Sequence, residues 1–472
     1  MPCSKTFISR FLCALALAWA TPALADVEPP AASAPAAPAP AFSADMLLNP
    51  PPLKVSYSGW SAQLYGFIEF DAVHDSTQGL SLVVGNTLIG RPGAFAGDNG
   101  QFFMSVQNSR LGLKLGGPDF HGVHPTGVFE MDFLGNEPTT DTEAQLFTNP
   151  AIRIRLAYLK LETPIVDVLA GQAWTLFGWQ TTFQPNSVTV QGLPGEAYSR
   201  TLQFRLSHVF KSSAVNFELA AAAARPPQRD SGTPDGHFGA RLILNGWTGF
   251  HTPAATASGA DGAAIGVSGV VRQFVVPSEN FDSPGVTDKA TGWGLSVDAL
   301  IPIIPGSAEH HANALTVTGS FVTGKAIADL YQSLTGGLTM PTAPQGVPKG
   351  TTPAPTYSAN VDNGLVAFDT TGELSPIEWQ SFIVGIQYYL PPSGNLWISA
   401  NFSQMTSNNA IALGVGEEAK IVDKIQFADA NLFWAISPAI RFGFEYAWFN
   451  QIYGDGTETH NNRFQLSGYY LF

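Results

Sequence analysis

A chain of 472 residues with only 13% charged side chains, 11% aromatics and 47 glycines is much poorer in charge than a soluble globular protein, where about 25% is usual. Its formal net charge of −14 argues against a nucleic-acid partner held by a basic footprint. Both cysteines, Cys3 and Cys13, sit at the extreme N-terminus, so no disulfide framework, thiolate nucleophile, cofactor thiol or cysteine-held metal is expected in the mature chain.

The first residues set the compartment. Lys5 and Arg10 precede an apolar run over residues 11–20, and Ala23-Leu24-Ala25 gives a small-x-small cleavage site, the plan of a secretory signal. The run is far short of the ~20 residues a spanning helix needs. Residues 1–25 are therefore expected to be a cleaved signal peptide. A lipid anchor on Cys13 is disfavoured because Leu12 fills a position that needs a small residue. Residues 26–59 follow as a Pro/Ala-rich stretch, VEPPAASAPAAPAPAFSADMLLNPPP over 27–52, which suits an extended periplasmic linker rather than a core.

Residues 60–472 change character. No later stretch approaches 18 uninterrupted apolar residues, so helical membrane spans are not expected. Instead, short segments alternate. In residues 61–72, Gln63, Tyr65, Glu69 and Asp71 share one face while Leu64, Ile68 and Phe70 share the other, the period of two that a strand requires. The same rhythm predicts strands near 105–116, 125–134, 151–162, 165–173, 200–210, 213–223, 237–244 and 263–274. It continues near 291–302, 312–324, 379–390, 394–404, 422–436, 439–450 and 462–472. About sixteen strands with apolar and polar faces predict an all-β fold, a transmembrane antiparallel β-barrel.

Connection lengths agree with that count. With a periplasmic N-terminus, odd connections should be long outer loops and even ones short turns. The odd ones are 73–104, 135–150, 174–199, 224–236, 275–290, 325–378, 405–421 and 451–461, whereas 162–164, 211–212, 391–393 and 437–438 are tight. The misfit is 245–262, eighteen residues where a turn belongs. The last strand, RFQLSGYYLF, stops on Phe472, the aromatic end expected of a segment read by the barrel-assembly machinery. Tyr57, Trp60, Tyr388, Tyr389, Tyr469 and Tyr470 fall at strand ends, where amphipathic rings suit the membrane–water boundary.

A barrel of this kind works through a charged, water-filled lumen rather than through bond chemistry. Alternation turns Arg110, Lys114, Arg153, Arg155, Arg205 and Arg241 inward. Glu69, Asp71, Glu130, Asp132, Glu218 and Asp298 point the same way. A basic residue facing lipid at midplane would cost roughly 2–4 kcal/mol. The cations fall on four alternate strands and predict a basic ladder that favours anions. The loop 174–199, with Trp174, Phe177, Trp179 and one acid, Glu196, but no base, is the expected constriction loop.

Three segments carry a family likeness: Gly171-Gln172-Ala173-Trp174-Thr175-Leu176-Phe177, Ser109-Arg110-Leu111-Gly112 and Gly372-Glu373-Leu374-Ser375-Pro376-Ile377. On these the chain resembles the DcaP-like porin family over most of 60–472, the first matching that family's G-Q-x-W-[ST]-x-F pattern. The resemblance implies a homotrimeric outer-membrane diffusion channel for small anionic solutes such as dicarboxylates, embedded in outer-membrane lipid. It departs where family members carry a coiled-coil-like segment before the barrel, since residues 26–59 are too rich in proline.

Other classes fit less well. A barrel enzyme would need a Ser/His/acid set at one rim, and none of the nine histidines falls in a nucleophile motif. His310-His311 is a poor metal chelate, because neighbours on a strand point to opposite faces. An energised transporter needs a plug of over a hundred residues before its barrel, which residues 26–59 do not supply. A secreted adhesin should show more charge and no terminal aromatic strand. A phosphate-selective pore calls for lysines in 174–199, which has none.

Overall fold

In a computed structural model of the protein, the described residues are 52–84, 88–135, 151–180, 182–228, 231–250, 260–278, 287–307, 310–332, 334, 340–341 and 361–472. The expected signal peptide, both cysteines and all but the last residues of the linker lie outside them.

A short first strand, β1 (Leu53–Tyr57), turns through Ser58-Gly59 onto β2 (Trp60–Asp75). The linker expected over 26–59 therefore ends in ordered structure. The wall continues through β3 (Gln101–Ser105), β4 (Arg110–Gly116), β5 (His124–Asp132), β6 (Arg153–Glu162), β7 (Asp167–Trp174), β8 (Arg200–Lys211) and β9 (Val215–Ala224). Then come β10 (Asp235–Gly249), β11 (Asp261–Pro277), β12 (Thr287–Ile304) and β13 (Leu315–Lys325). A small hairpin, β14 (Val366–Phe368) with β15 (Leu374–Pro376), precedes β16 (Glu378–Tyr389) and β17 (Leu396–Ser407). The last three are β18 (Val422–Ala435), β19 (Ile440–Tyr453) and β20 (Glu458–Leu471).

Each wall strand pairs antiparallel with the next, and β2 pairs with β20 from Phe67↔Leu471 to Asp75↔Arg463, closing the ring. Both β3 and β4 lie end to end on the same flank of β2, so together they fill one wall position. On the other flank β1 continues the line of β20. The result is a closed barrel of sixteen strands, as the alternation predicts.

Connections alternate between short and long ends. The short end holds 163–166, 212–214, 390–395 and 436–439, and the long end holds 76–100, 133–152, 175–199 and 326–377. Two expectations shift. The long loop expected over 451–461 shrinks to four residues, because β19 and β20 keep pairing to Ile452↔Glu458. The misfit over 245–262 narrows to 250–260, because β10 and β11 pair out to Gly249↔Asp261 across a bulge after Leu244. Residues 251–259 lie outside the described set.

Alternation sorts the two faces. Ile68, Phe204, Phe238, Ile265, Phe402 and Phe464 are exposed on the outside, while Asp71, Gln203, His237, Ser268, Ser403 and Gln465 from the same strands are buried inside. An apolar belt around a polar interior is the pattern of a membrane-spanning barrel. Tyr57 and Trp60 lie at 82% and 60% exposure, as boundary rings should. Tyr389 and Tyr469 do not. They are buried beside Trp397, Phe433 and Val188, because each follows or precedes an outward neighbour on its strand and must face the other way.

Candidate functional site

The interior is organised by residues 175–199, which turn into the barrel and cross to the far wall. The first part seats aromatic rings on β10–β12. The Trp179 indole N–H donates to the Val267 carbonyl at 3.1 Å, and the Gly178 N–H donates to Ser268 Oγ at 2.8 Å. Glycines make room for these rings. A Cβ on Gly239 would lie 2.7 Å from Trp179, one on Gly266 2.8 Å from Trp179, and one on Gly294 2.8 Å from Phe177. The middle reaches β17–β20. Asn186 O accepts from Ser399 Oγ and Asn401 Nδ2, the Val188 N–H donates to Asn431 Oδ1, and Val188 O accepts from the Tyr469 hydroxyl. The end returns past β16 and β17, where Ser381 and Ser403 donate to Gly195 O and Pro194 O. Positive φ at Gly178, Gly192 and Gly195 provides the tight reversals that residues with a Cβ rarely make.

The predicted inward charges fall into two arcs. On β4–β6, Arg155 donates to Glu130 at 2.8 Å and to Asp132 at 3.0 Å. Arg153 grips Asp132 through Nε and Nη2 at 2.9 and 2.6 Å and also reaches Gln191 of the inner loop. Arg110 lies 3.7 Å from Glu130, which also accepts from the Tyr65 hydroxyl. Three guanidiniums thus share two carboxylates. Further round, Arg205 donates to Gln203 and to the Trp174 carbonyl, and Arg241 pairs with Glu218 at 2.5 Å, reaches Thr182 and lies 4.8 Å over the Trp179 ring. Lys114 stands apart, exposed near the short-turn end with its ammonium 4.7 Å over Tyr65.

One cation on this arc was missing from the sequence expectation. Arg200, the first residue of β8, lies 4.8 Å over the Trp174 ring, which Arg155 approaches at 5.7 Å and Tyr198 meets edge-on. It sits one step past the inner loop, so reading the loop as lacking a base hid it. The opposite arc is acidic; of its members the sequence expectation named Glu69 and Asp71 but not Asp429 or Glu445. Glu69 and Asp71 on β2 are fully enclosed, and Asp429 on β18 and Glu445 on β19 lie beside the inner loop. Asp71 accepts from Ser467, Asn108 and Gln465; Asp429 accepts from the Asn401 N–H and Nδ2. Glu445 takes three donors from the loop itself: Ser187 Oγ at 2.7 Å, the Thr189 N–H at 3.1 Å and Thr189 Oγ1 at 3.2 Å. The alternation already placed residues 429 and 445 inside, but nothing in the pattern said that the loop would cover them.

Accessibility separates the arcs. Side-chain exposure is 27% for Arg153 and 19% for Arg241, but 0% for Asp132, and the four acids of the far arc are all buried. Glu196, in the loop, accepts from the Leu193 N–H at 2.9 Å, and burial pushes its carboxyl up to about 8, with nearby Asp298 adding to the rise. Phe472 lies at the seam, exchanging both backbone bonds with Gly66 at 3.1 Å. Among the described residues, no three His, Cys, Asp or Glu side chains converge as a metal site.

Known proteins give a likeness in fold alone. No protein-family model matches the chain, and no curated protein matches it. Among solved structures, the outer-membrane channel DcaP of Acinetobacter baumannii aligns with a TM-score of 0.60 at 17% identity, over 88% of this chain and 99% of that one. An anion-selective porin from Comamonas acidovorans aligns at 0.48 and 9% identity, over 88% and 100%. OmpF of Salmonella typhi aligns at 0.48 and 11% identity, over 89% and 100%. The sixteen-stranded barrel thus shares its fold with the DcaP channel structure.

Proposed function

We propose that the protein is a passive porin of the bacterial outer membrane that admits small hydrophilic anions, dicarboxylates among them. The observation that carries this reading is the unequal access of the two charged arcs. Arg110, Arg153, Arg200, Arg205 and Arg241 supply more positive charge than Glu130, Asp132 and Glu218 neutralise, and part of it meets solvent. The opposing acids are buried, Asp71 and Asp429 accept hydrogen bonds, and Glu445 is held directly by the inner loop. A permeating ion responds to the charge it can reach, and low-dielectric walls focus that field. Guanidinium forks also match carboxylate geometry.

The other parts of the reading follow the barrel. Residues 175–199 act as the constriction, with Trp174, Phe177 and Trp179 as its rigid anchors. Lys114 serves as a cation nearer the short-turn end, outside the narrow zone. The apolar belt sits in outer-membrane lipid, the chain arrives through a cleaved signal peptide, and the final strand with Phe472 engages the assembly machinery. The homotrimer is the state that the family resemblance implies.

Reconstitution in a planar bilayer tests the function. The purified protein should give steady open-channel steps, with a reversal potential in a salt gradient on the anion side. Replacing both Arg153 and Arg155 with Gln should move that potential toward cations. Strong cation selectivity in the unaltered protein would contradict the assignment.

A further inference from the structure

Described residues of the long connection 326–377 meet the inner loop: Ile327 and Leu330 share an apolar cluster with Phe177, and Leu330–Gln332 pair with the loop's end. The Tyr198 N–H donates to the Leu330 carbonyl at 2.9 Å, and the Gln332 N–H donates to the Glu196 carbonyl at 3.0 Å. Those two bonds make an antiparallel bridge between Ala197 and Tyr331. Ala197 lies one residue before Tyr198, whose ring meets Trp174, and three before Arg200, so the bridge fixes the end of the inner loop against the basic arc.

Two residues before Tyr331, Asp329 meets Arg272 of β11, which is 3% exposed and has every donor engaged. Its Nε and Nη2 donate to Asp235 at 3.0 and 2.6 Å. Its Nη1 and Nη2 hold Asp329 as a fork at 2.5 and 2.9 Å, and Nη1 also donates to the Ala326 carbonyl at 3.0 Å. One guanidinium thus ties the barrel wall, at β10 and β11, to the short 3-10 turn Ala328–Leu330. Unlike Arg153, Arg272 faces two carboxylates and almost no solvent, so its charge is spent on position and offers little to a passing ion.

We propose that residues 326–332 form a strut that sets the place of the inner loop, with Arg272 and Asp329 as its positioning residues. This rests on the diffusion-channel reading and adds a way in which the constriction is held. The path of force is short: Arg272 fixes Asp329, the next residues fix Glu196 and Tyr198 through backbone bonds, and those carry Arg200 and Trp174. The competing account is that burial of Leu330, Tyr331 and Leu334 in the apolar cluster around Trp379 holds the segment unaided, and then the ion pair is dispensable.

The test uses the full chain in planar bilayers, with heat-shifted gel mobility to certify a folded barrel. Asp329→Asn keeps shape but weakens the fork, and it should raise single-channel conductance by about twofold with more open-channel noise, as expected when a pore wall loosens. Asp329→Glu should recover part of the steadiness. A second arm adds Ala197→Cys with Tyr331→Cys. The pair lies between the two bridge hydrogen bonds, where Cα atoms stand about 4.5 Å apart, within disulfide reach. Oxidising that pair in the Asp329→Asn protein should restore the original conductance, and reduction should release it. If Asp329→Asn matches the unaltered channel, or the disulfide restores nothing, the strut is refuted. If Asp329→Asn does not fold, Asp329→Glu decides, since the longer side chain displaces the fork while keeping the charge: conductance and noise equal to the unaltered channel's refute the strut, and raised noise supports it. An unaltered protein that forms no channel would remove the diffusion reading and the strut with it.

Discussion

The β4–β10 arc and the β18–β2 arc both turn charges inward, yet they differ in which of those charges solvent reaches. On the first, arginines outnumber the acids they pair with, and Arg153 and Arg241 keep part of their guanidinium in solvent. On the second, Asp71, Asp429 and Glu445 spend their lone pairs on Ser, Thr, Asn and Gln donors, several of them delivered by the inner loop. The difference teaches that charge composition does not set the field an ion meets; coverage does. A buried carboxylate with fixed donors belongs to the scaffold, whereas on the proposed channel reading a partly exposed guanidinium belongs to the path.

The strongest way to break the comparison is to strip the basic arc of its counter-charge. Asp132 is fully buried between Arg153 and Arg155, and removing one partner of a buried ionic group costs about 3–5 kcal/mol. Asp132→Asn should therefore lower the temperature at which the barrel loses its folded gel mobility. An unchanged transition would show that the pair is not enclosed as described.

The next test is the acidic arc. Glu445→Gln weakens three charge-assisted bonds from Ser187 and Thr189, each worth about 1.5–3 kcal/mol when the acceptor is ionised. Loop noise and conductance should rise while the reversal potential stays nearly fixed, because a covered charge is lost. A large swing toward anions would mean that Glu445 already faced the path.

Much of this was legible from the two-residue rhythm. The sixteen strands and the faces of their residues follow from alternation, and β8 begins at Arg200 where the pattern places it, whereas the inward turn of 174–199 was expected from the plan of sixteen-stranded porins. What escaped the sequence is partnership. The contact of Thr189 with Glu445 spans 256 residues and that of Val188 with Tyr469 spans 281, and nothing local encodes them. Arg272, Asp429 and Glu445 were on the correct face by the same rule, but neutralisation by Asp235 and Asp329 or capping by loop hydroxyls is a property of the closed ring. Tyr389 and Tyr469 show the opposite failure: proximity to a strand end suggested the membrane boundary, while parity assigned them to the interior.

A smaller effect is expected at the aromatic seat. Gly239→Ala places a methyl 2.7 Å from the Trp179 ring, so the ring must shift and the first part of the loop with it. Conductance should change modestly, and intrinsic tryptophan emission should move; no change in either would mean the seat is loose.

The smallest effect is a pH step. The Glu196 carboxyl lies at about 8 in the seated loop against an ordinary 4.5, so the seated form binds the extra proton. Its contribution is complete below about pH 4.5 and is lost as pH rises through 8. Channel noise should grow between about pH 7 and 9, and Glu196→Gln should abolish that growth. A rise that persists in the Gln variant would assign it to another group.

Because both cysteines, Cys3 and Cys13, precede residue 26, access to each arc can be read with a charged thiol reagent on the barrel. Arg153→Cys and Asp71→Cys, each in a single open channel, should respond oppositely to an anionic methanethiosulfonate. Current through the first should fall irreversibly, and current through the second should not change. Modification at position 71 with none at 153 would contradict the account, since it would place the acids in the path and the arginines behind it.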